Sequence, residues 1–183
     1  MDDDVRRSLQ ANRALIFAAL SVLTTVNLSA QEPLSTPCSG PEYRQFDFWI
    51  GDWDVRNPSG QIVGTNSIHP EYEGCLLIER WKGAGGGAGT SQNFFHRSDG
   101  RWHQNWVDGR ASGPLWLIGG LDENDAMVMT DVDRDSDPRN RITWTPNPDG
   151  TVRQHWEQSA DGGTTWTTAF DGLYVRRDEV DTD

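Results

Sequence analysis

From Gly51 onward the chain alternates apolar and polar side chains with a period of two and breaks at short intervals on Gly, Asn, Asp and Pro. Alternation of this kind marks strands with one buried and one wet face. It predicts ten of them, over Asp52 to Arg56, Ile62 to Tyr72, Cys75 to Lys82, Thr90 to Arg97, Arg101 to Val107, Pro114 to Gly120, Ala126 to Asp133, Arg139 to Thr145, Val152 to Ser159 and Thr165 to Arg176. The breaks Asn57-Pro58-Ser59-Gly60, Ser98-Asp99-Gly100, Asp108-Gly109, Asn147-Pro148-Asp149-Gly150 and Asp161-Gly162-Gly163 have hairpin chemistry, because Gly, Asn and Asp accept positive φ. Short links force consecutive strands to run antiparallel, so the expected fold is all-β: a single up-and-down antiparallel β-barrel of about ten strands. Glu42 to Ile50 reads as a short helical turn ahead of the first strand. The low-complexity stretch Gly83 to Gly89 reads as a flexible loop at a barrel mouth. A phosphate-binding loop would need a helix after it, where Thr90 to Arg97 reads as a strand.

Parity also sorts side chains by face. Trp102, Gln104 and Trp106 share one face of their strand, with His103 and Asn105 on the other; Trp156 sits with Gln154, Leu77 and Trp81 with Glu79, and Ile142 with Trp144. Amides and carboxylates are costly to bury without partners, so pairing them with tryptophan points to an enclosed, partly wet cavity. Its candidate ligand-binding residues are Glu79, Trp81, Gln104, Trp106, Trp144, Gln154 and Trp156. The competing reading makes the tryptophans packing material and turns the glutamines outward, since alternation does not say which face is the lumen.

Composition narrows the function classes. The 183 residues carry 28 acidic against 16 basic side chains, a net charge of -12, and Lys82 is the sole lysine. An acidic surface repels phosphate backbones, which disfavours nucleic acid as a partner. Ahead of the strands, Arg6, Arg7 and Arg13 precede the apolar run Ala14 to Leu23, followed by small residues up to Ala30. This is the layout of a secretory signal, with a buried N-terminal helix as the alternative. The run is too short for a membrane span. Arg6-Arg7-Ser8-Leu9-Gln10 also resembles a twin-arginine signal, but the acidic Asp2 to Asp4 stretch is unusual there, and the general export route is the preferred reading. The organisation read from this is a signal peptide at 1–30, a linker arm at 31–41, a barrel domain at 42–177 and an acidic tail at 178–183. An exported chain, periplasmic or secreted, meets an oxidising compartment, where its two cysteines, Cys38 and Cys75, are expected to pair; two free core cysteines are the alternative.

Phe46-Asp47-Phe48-Trp49-Ile50-Gly51-Asp52-Trp53-Asp54-Val55 resembles the opening motif of a family of exported bacterial proteins of unknown function with a lipocalin-like, calycin-type barrel. The likeness continues through Gly74 to Trp81, Trp102 to Asp108, Arg141 to Pro146 and Tyr174 to Arg177. It implies that Gly51 and Trp53 open the first strand, that Trp53 closes the barrel floor, and that Arg176 or Arg177 lies over its ring, a stacking role that suits arginine. Ser159 to Trp166 resembles the Asp-box hairpin of sialidase-type propellers. A propeller needs several copies, so Asp161 and Trp166 are read as structural.

Catalytic patterns are sparse. His69, His96, His103 and His155 stand singly without metal-ligand spacing, so no metal or cofactor is expected; the haem-binding motif of nitrobindin-type barrels has no counterpart either. No Gly-x-Ser-x-Gly elbow occurs, and Ser91 has no partner visible in sequence. The alternating Asp131, Asp133, Asp135 and Asp137 offer hard oxygen ligands but lack the remaining features of a calcium loop, and read as a solvated turn. Glu79, beside Trp81, is the best candidate for an acid with a raised pKa. The expected function is binding of a small apolar or amphipathic molecule, with protein partners unknown. The alternative is an enzyme of isomerase or cyclase type using Glu79 for acid/base chemistry.

Overall fold

The computed structural model describes residues 37–110, 113–132, 135 and 139–177. The predicted signal segment, most of the arm, the acidic tail, and Asp133 and Asp137 lie outside these described residues. Among the described residues the chain forms ten strands: β1 (Gly51–Arg56), β2 (Ile62–Glu71), β3 (Leu76–Gly83), β4 (Ala88–His96), β5 (Arg101–Asp108), β6 (Leu115–Leu121), β7 (Met127–Asp131), β8 (Arg139–Pro146), β9 (Val152–Ser159) and β10 (Thr167–Arg176). Each pairs antiparallel with its neighbours in sequence, and β1 pairs with β10 to close the barrel. Every predicted strand is present, with ends displaced by no more than two residues. No helix among the described residues is long and apolar enough to cross a membrane.

The two ends of the barrel differ. At one end the segment before β1 folds inward as two 3-10 turns, Pro41–Arg44 and Asp47–Trp49, where the sequence predicts a single turn. Phe46 and Trp49 are fully buried and stack on each other at 4.9 Å between ring centroids. Trp102 and Trp144 meet the ring of Phe46 edge-on, and Tyr174 packs against Trp49. This aromatic plug is the floor. Outside it, the Arg176 guanidinium lies 4.4 Å over the Trp53 ring and donates to the Ile50 carbonyl, while Arg177 pairs with Asp54. Gly51 sits beneath that arginine at φ 143°, where a Cβ would come within 2.5 Å of the guanidinium, so backbone and space both select glycine.

Cys38 and Cys75 form a disulfide that ties the plug-bearing segment to the β2–β3 connection. Arg44 reinforces the tie by donating to the Gly74 carbonyl at 2.7 Å. At the opposite end lies the mouth, lined by Gly83, Gly85, Gly87 and Arg110. The glycine stretch there is a tight turn held by Gly83–Gly87 and Gly86–Gly83 backbone bonds, with Ala84 bonded back to Val63. In the β9–β10 turn Asp161 accepts from the Thr164 and Thr165 amides and from both the Ser159 and Thr165 hydroxyls. These bonds hold its carboxyl well below the usual range, the Thr165 hydroxyl and amide contributing most. Trp166 packs under the Arg141 guanidinium at 4.3 Å.

Candidate functional site

Above the plug the barrel encloses a cavity of about 1270 Å³ that opens at the mouth. The inward positions of successive strands fill it in two tiers. In the upper tier Trp81 of β3, Trp106 of β5, Trp156 of β9 and Phe170 of β10 form aromatic walls, with Leu115 and Ile142 between them. Two glycines opposite make room for the indoles: a Cβ on Gly64 would come within 2.4 Å of Trp81, and one on Gly89 within 2.3 Å of Trp106. Trp156 is held in place by an Nε1–H bond of 2.8 Å to Asn140, whose amide and backbone N–H both bond to Asp131. Asp131 therefore belongs to a buried polar contact at the mouth and not to a solvated acidic run.

The lower tier is a belt of polar side chains linked across strands. Gln104 donates to Asn93 Oδ1 at 2.7 Å, and Asn93 donates to the Ser91 hydroxyl at 2.8 Å. Ser91 donates to Glu79 Oε2 at 2.5 Å, while Asn66 donates to Glu79 Oε1 at 2.7 Å and to the Tyr174 hydroxyl at 3.2 Å. Tyr174 in turn donates to Gln154. Seven residues on six strands are joined. Register explains the contacts, since Ser91 lies directly opposite Glu79 and Asn93 directly opposite Gln104. Every member is bonded to a neighbour, the condition under which polar groups are tolerated inside a barrel, and only the Asn66 Oδ1 is buried without a partner within the belt.

Glu79 is the charged centre of this belt and is only 4% exposed. Burial raises its pKa from the ordinary 4.5 to about 6, with the Ser91 and Asn66 hydrogen bonds holding back a larger rise. Tyr174 is pushed well above the usual phenol value, first by burial and then by the nearby Glu79 carboxylate. A carboxyl that binds its proton more tightly when folded adds stability that is complete below pH 4.5 and lost as pH rises through about 6. We expect the stability of the protein relative to Glu79→Gln to fall by about 2 kcal/mol between pH 4 and pH 7, at about 1.4 kcal/mol per pH unit of that gap. Urea denaturation of both proteins across this range measures it, and parallel stability curves would refute the burial account.

Six of the seven candidate ligand-binding residues, Glu79, Trp81, Gln104, Trp106, Gln154 and Trp156, line this one cavity. Trp144 is the exception: it faces inward but sits two residues further along β8 than Ile142, inside the plug against Phe46 and Trp49. Parity gives the face of a strand but not the height in the barrel. The sequence reading missed Asn66, Ser91, Asn93 and Tyr174, because a single Asn or Ser carries no signal until the register places it beside the carboxyl. Ser91, without a partner in sequence, has two. His103 and His155 fall on the outer face, opposite in parity to the tryptophans of their strands.

No protein-family model matches this chain, and neither does any curated protein. The functional reading therefore rests on the geometry of the cavity.

Proposed function

We propose that this protein is an exported calycin-type barrel, of the family its opening motif resembles, that binds a small apolar or amphipathic molecule. In this reading residues 1–30 are a cleaved signal and the barrel works in the periplasm or outside the cell. The observation that carries the reading is the cavity of about 1270 Å³, aromatic at its mouth and polar at its depth. A volume of that order takes a ligand of drug size or somewhat larger. The apolar part of the ligand would lie between Trp81, Trp106 and Trp156, and a hydroxyl, carbonyl or amine would reach Glu79, Gln104 and Gln154.

Nile red, a neutral dye whose emission shifts on leaving water, probes the site directly. We expect it to bind with a blue shift, and Trp156→Ala to weaken binding at least ~10-fold, equivalent to about 1.4 kcal/mol. Tyr72→Ala removes an exposed ring in the β2–β3 connection, at the plugged end and away from the cavity, and is expected to leave binding unchanged. Equal affinity in the Trp156 and Tyr72 variants would exclude the cavity as the binding place. Native mass spectrometry of protein purified from an exporting host then identifies the natural ligand as a mass lost on denaturation.

The raised pKa of Glu79 favours a second reading, an isomerase or cyclase in which this carboxyl moves a proton. Glu79→Gln separates the two. Binding survives it in both, and turnover of the ligand disappears only in the second.

A further inference from the structure

We propose that His96, Asp99 and His103, on the outer surface at the plugged end, form a binding site for a divalent transition-metal ion of the zinc type. The site is independent of the cavity. All three residues belong to one hairpin, with His96 ending β4, Asp99 in the turn and His103 on β5. His96 lies opposite Arg101 and His103 opposite Phe94, so the two imidazoles are diagonal neighbours on the outward face and their rings meet at 5.1 Å. The turn brings the carboxylate between them: His96 Nδ1 is 3.2 Å from Asp99 Oδ1 and His103 Nε2 is 2.8 Å from Asp99 Oδ2. One ligand atom from each residue falls within 4.8 Å of the other two. Tetrahedral coordination with bonds of about 2.0–2.1 Å puts ligand atoms about 3.3 Å apart, so the two imidazoles, now held to different oxygens of the Asp99 carboxylate, would exchange those contacts for a shared ion and draw together from within 4.8 Å.

The arrangement is also held in advance. The Gly100 amide bonds to the His96 carbonyl, the Arg101 amide bonds to Asp99 Oδ1, and the Phe94 ring stacks on His103 at 5.5 Å. Two imidazoles with one carboxylate suit Zn²⁺, Cu²⁺ or Ni²⁺ far better than Ca²⁺ or Mg²⁺, which take oxygen. Three protein ligands leave a coordination position for water or a donor from another molecule.

Titration of the purified protein with ZnCl₂ by calorimetry tests this. One ion per chain is expected, unaffected by excess Mg²⁺, with the affinity reduced at least ~10-fold in His96→Ala and in His103→Ala. His69→Ala removes the imidazole of a different exposed His–Asp pair and is expected to change nothing. In the unaltered protein, the ring-proton NMR signals of His96 and His103 should shift with ZnCl₂ while those of His69 and His155 stay in place. Absence of zinc binding overturns the proposal, as does undiminished binding in a variant lacking both His96 and His103, or a shift confined to His69 or His155.

Discussion

Replacing Trp49 by alanine is expected to lower the unfolding free energy by about 3–5 kcal/mol, the range for truncating a fully buried large aromatic. Trp49 stacks on Phe46 and packs against Trp144 and Tyr174, and its backbone carbonyl accepts the indole N–H of Trp53 at 3.0 Å. Removing the ring opens a hole in the floor of the barrel that the surrounding rings cannot all collapse into. Trp49→Phe is a discriminating control. The Trp49 indole N–H is buried with no hydrogen-bond partner among the described residues, so phenylalanine gives up ring area but no bond. We expect it to cost less than half as much as alanine. Urea denaturation of the two variants checks the order, and equal losses would show that the plug depends on something other than ring packing.

The plug also marks where sequence reading stopped. The motif Phe46 to Val55 was legible as an opening to the barrel, and the Trp53 ring receives Arg176 as that likeness implies. That Phe46 and Trp49 enter the lumen was not legible, because a short segment of 3-10 turns has no alternation from which to read a buried face. Within the strands, turn chemistry and parity show which side chains share a face, and taking the tryptophan-bearing face as the lumen assembles Glu79, Trp81, Gln104, Trp106, Gln154 and Trp156 around one space. Neither gives height along the barrel axis or register between strands. Height decides that Trp144 is floor and Trp156 wall. Register decides that Ser91 faces Glu79 and that His96 and His103 meet at Asp99.

Losing the Cys38–Cys75 bond is the other change expected to have a large effect. The bridge closes a loop with a sequence separation of 37, and in the chain-entropy account such a cross-link contributes about 4 kcal/mol. For a domain of this size the transition midpoint should fall by about 10 °C on reduction or in a Cys38→Ser, Cys75→Ser variant. The loss should have a local signature as well. The bond anchors the segment carrying Tyr43, Phe46 and Trp49, so in the reduced protein amide exchange should accelerate first in residues 39–50 and only later in β4 to β9. Calorimetry with and without reductant, followed by hydrogen exchange, provides the measurement. An unchanged midpoint would mean that Arg44 and the aromatic contacts alone keep the segment in place.

Closure of the barrel depends on a single seam. Every strand pairing but one joins strands consecutive in sequence, and among the described residues only β1 with β10 pairs positions more than a hundred apart. The consecutive hairpins can form early and locally, whereas the seam bears the whole entropic cost of bringing distant chain together. Until it forms, β1 and β10 are unpaired edges able to recruit strands from other molecules. The interior does not yet exist as a space at that stage. Any molecule that occupies the lumen consequently favours the sealed chain over the open one, and its presence during folding would suppress aggregation at the edges of β1 and β10.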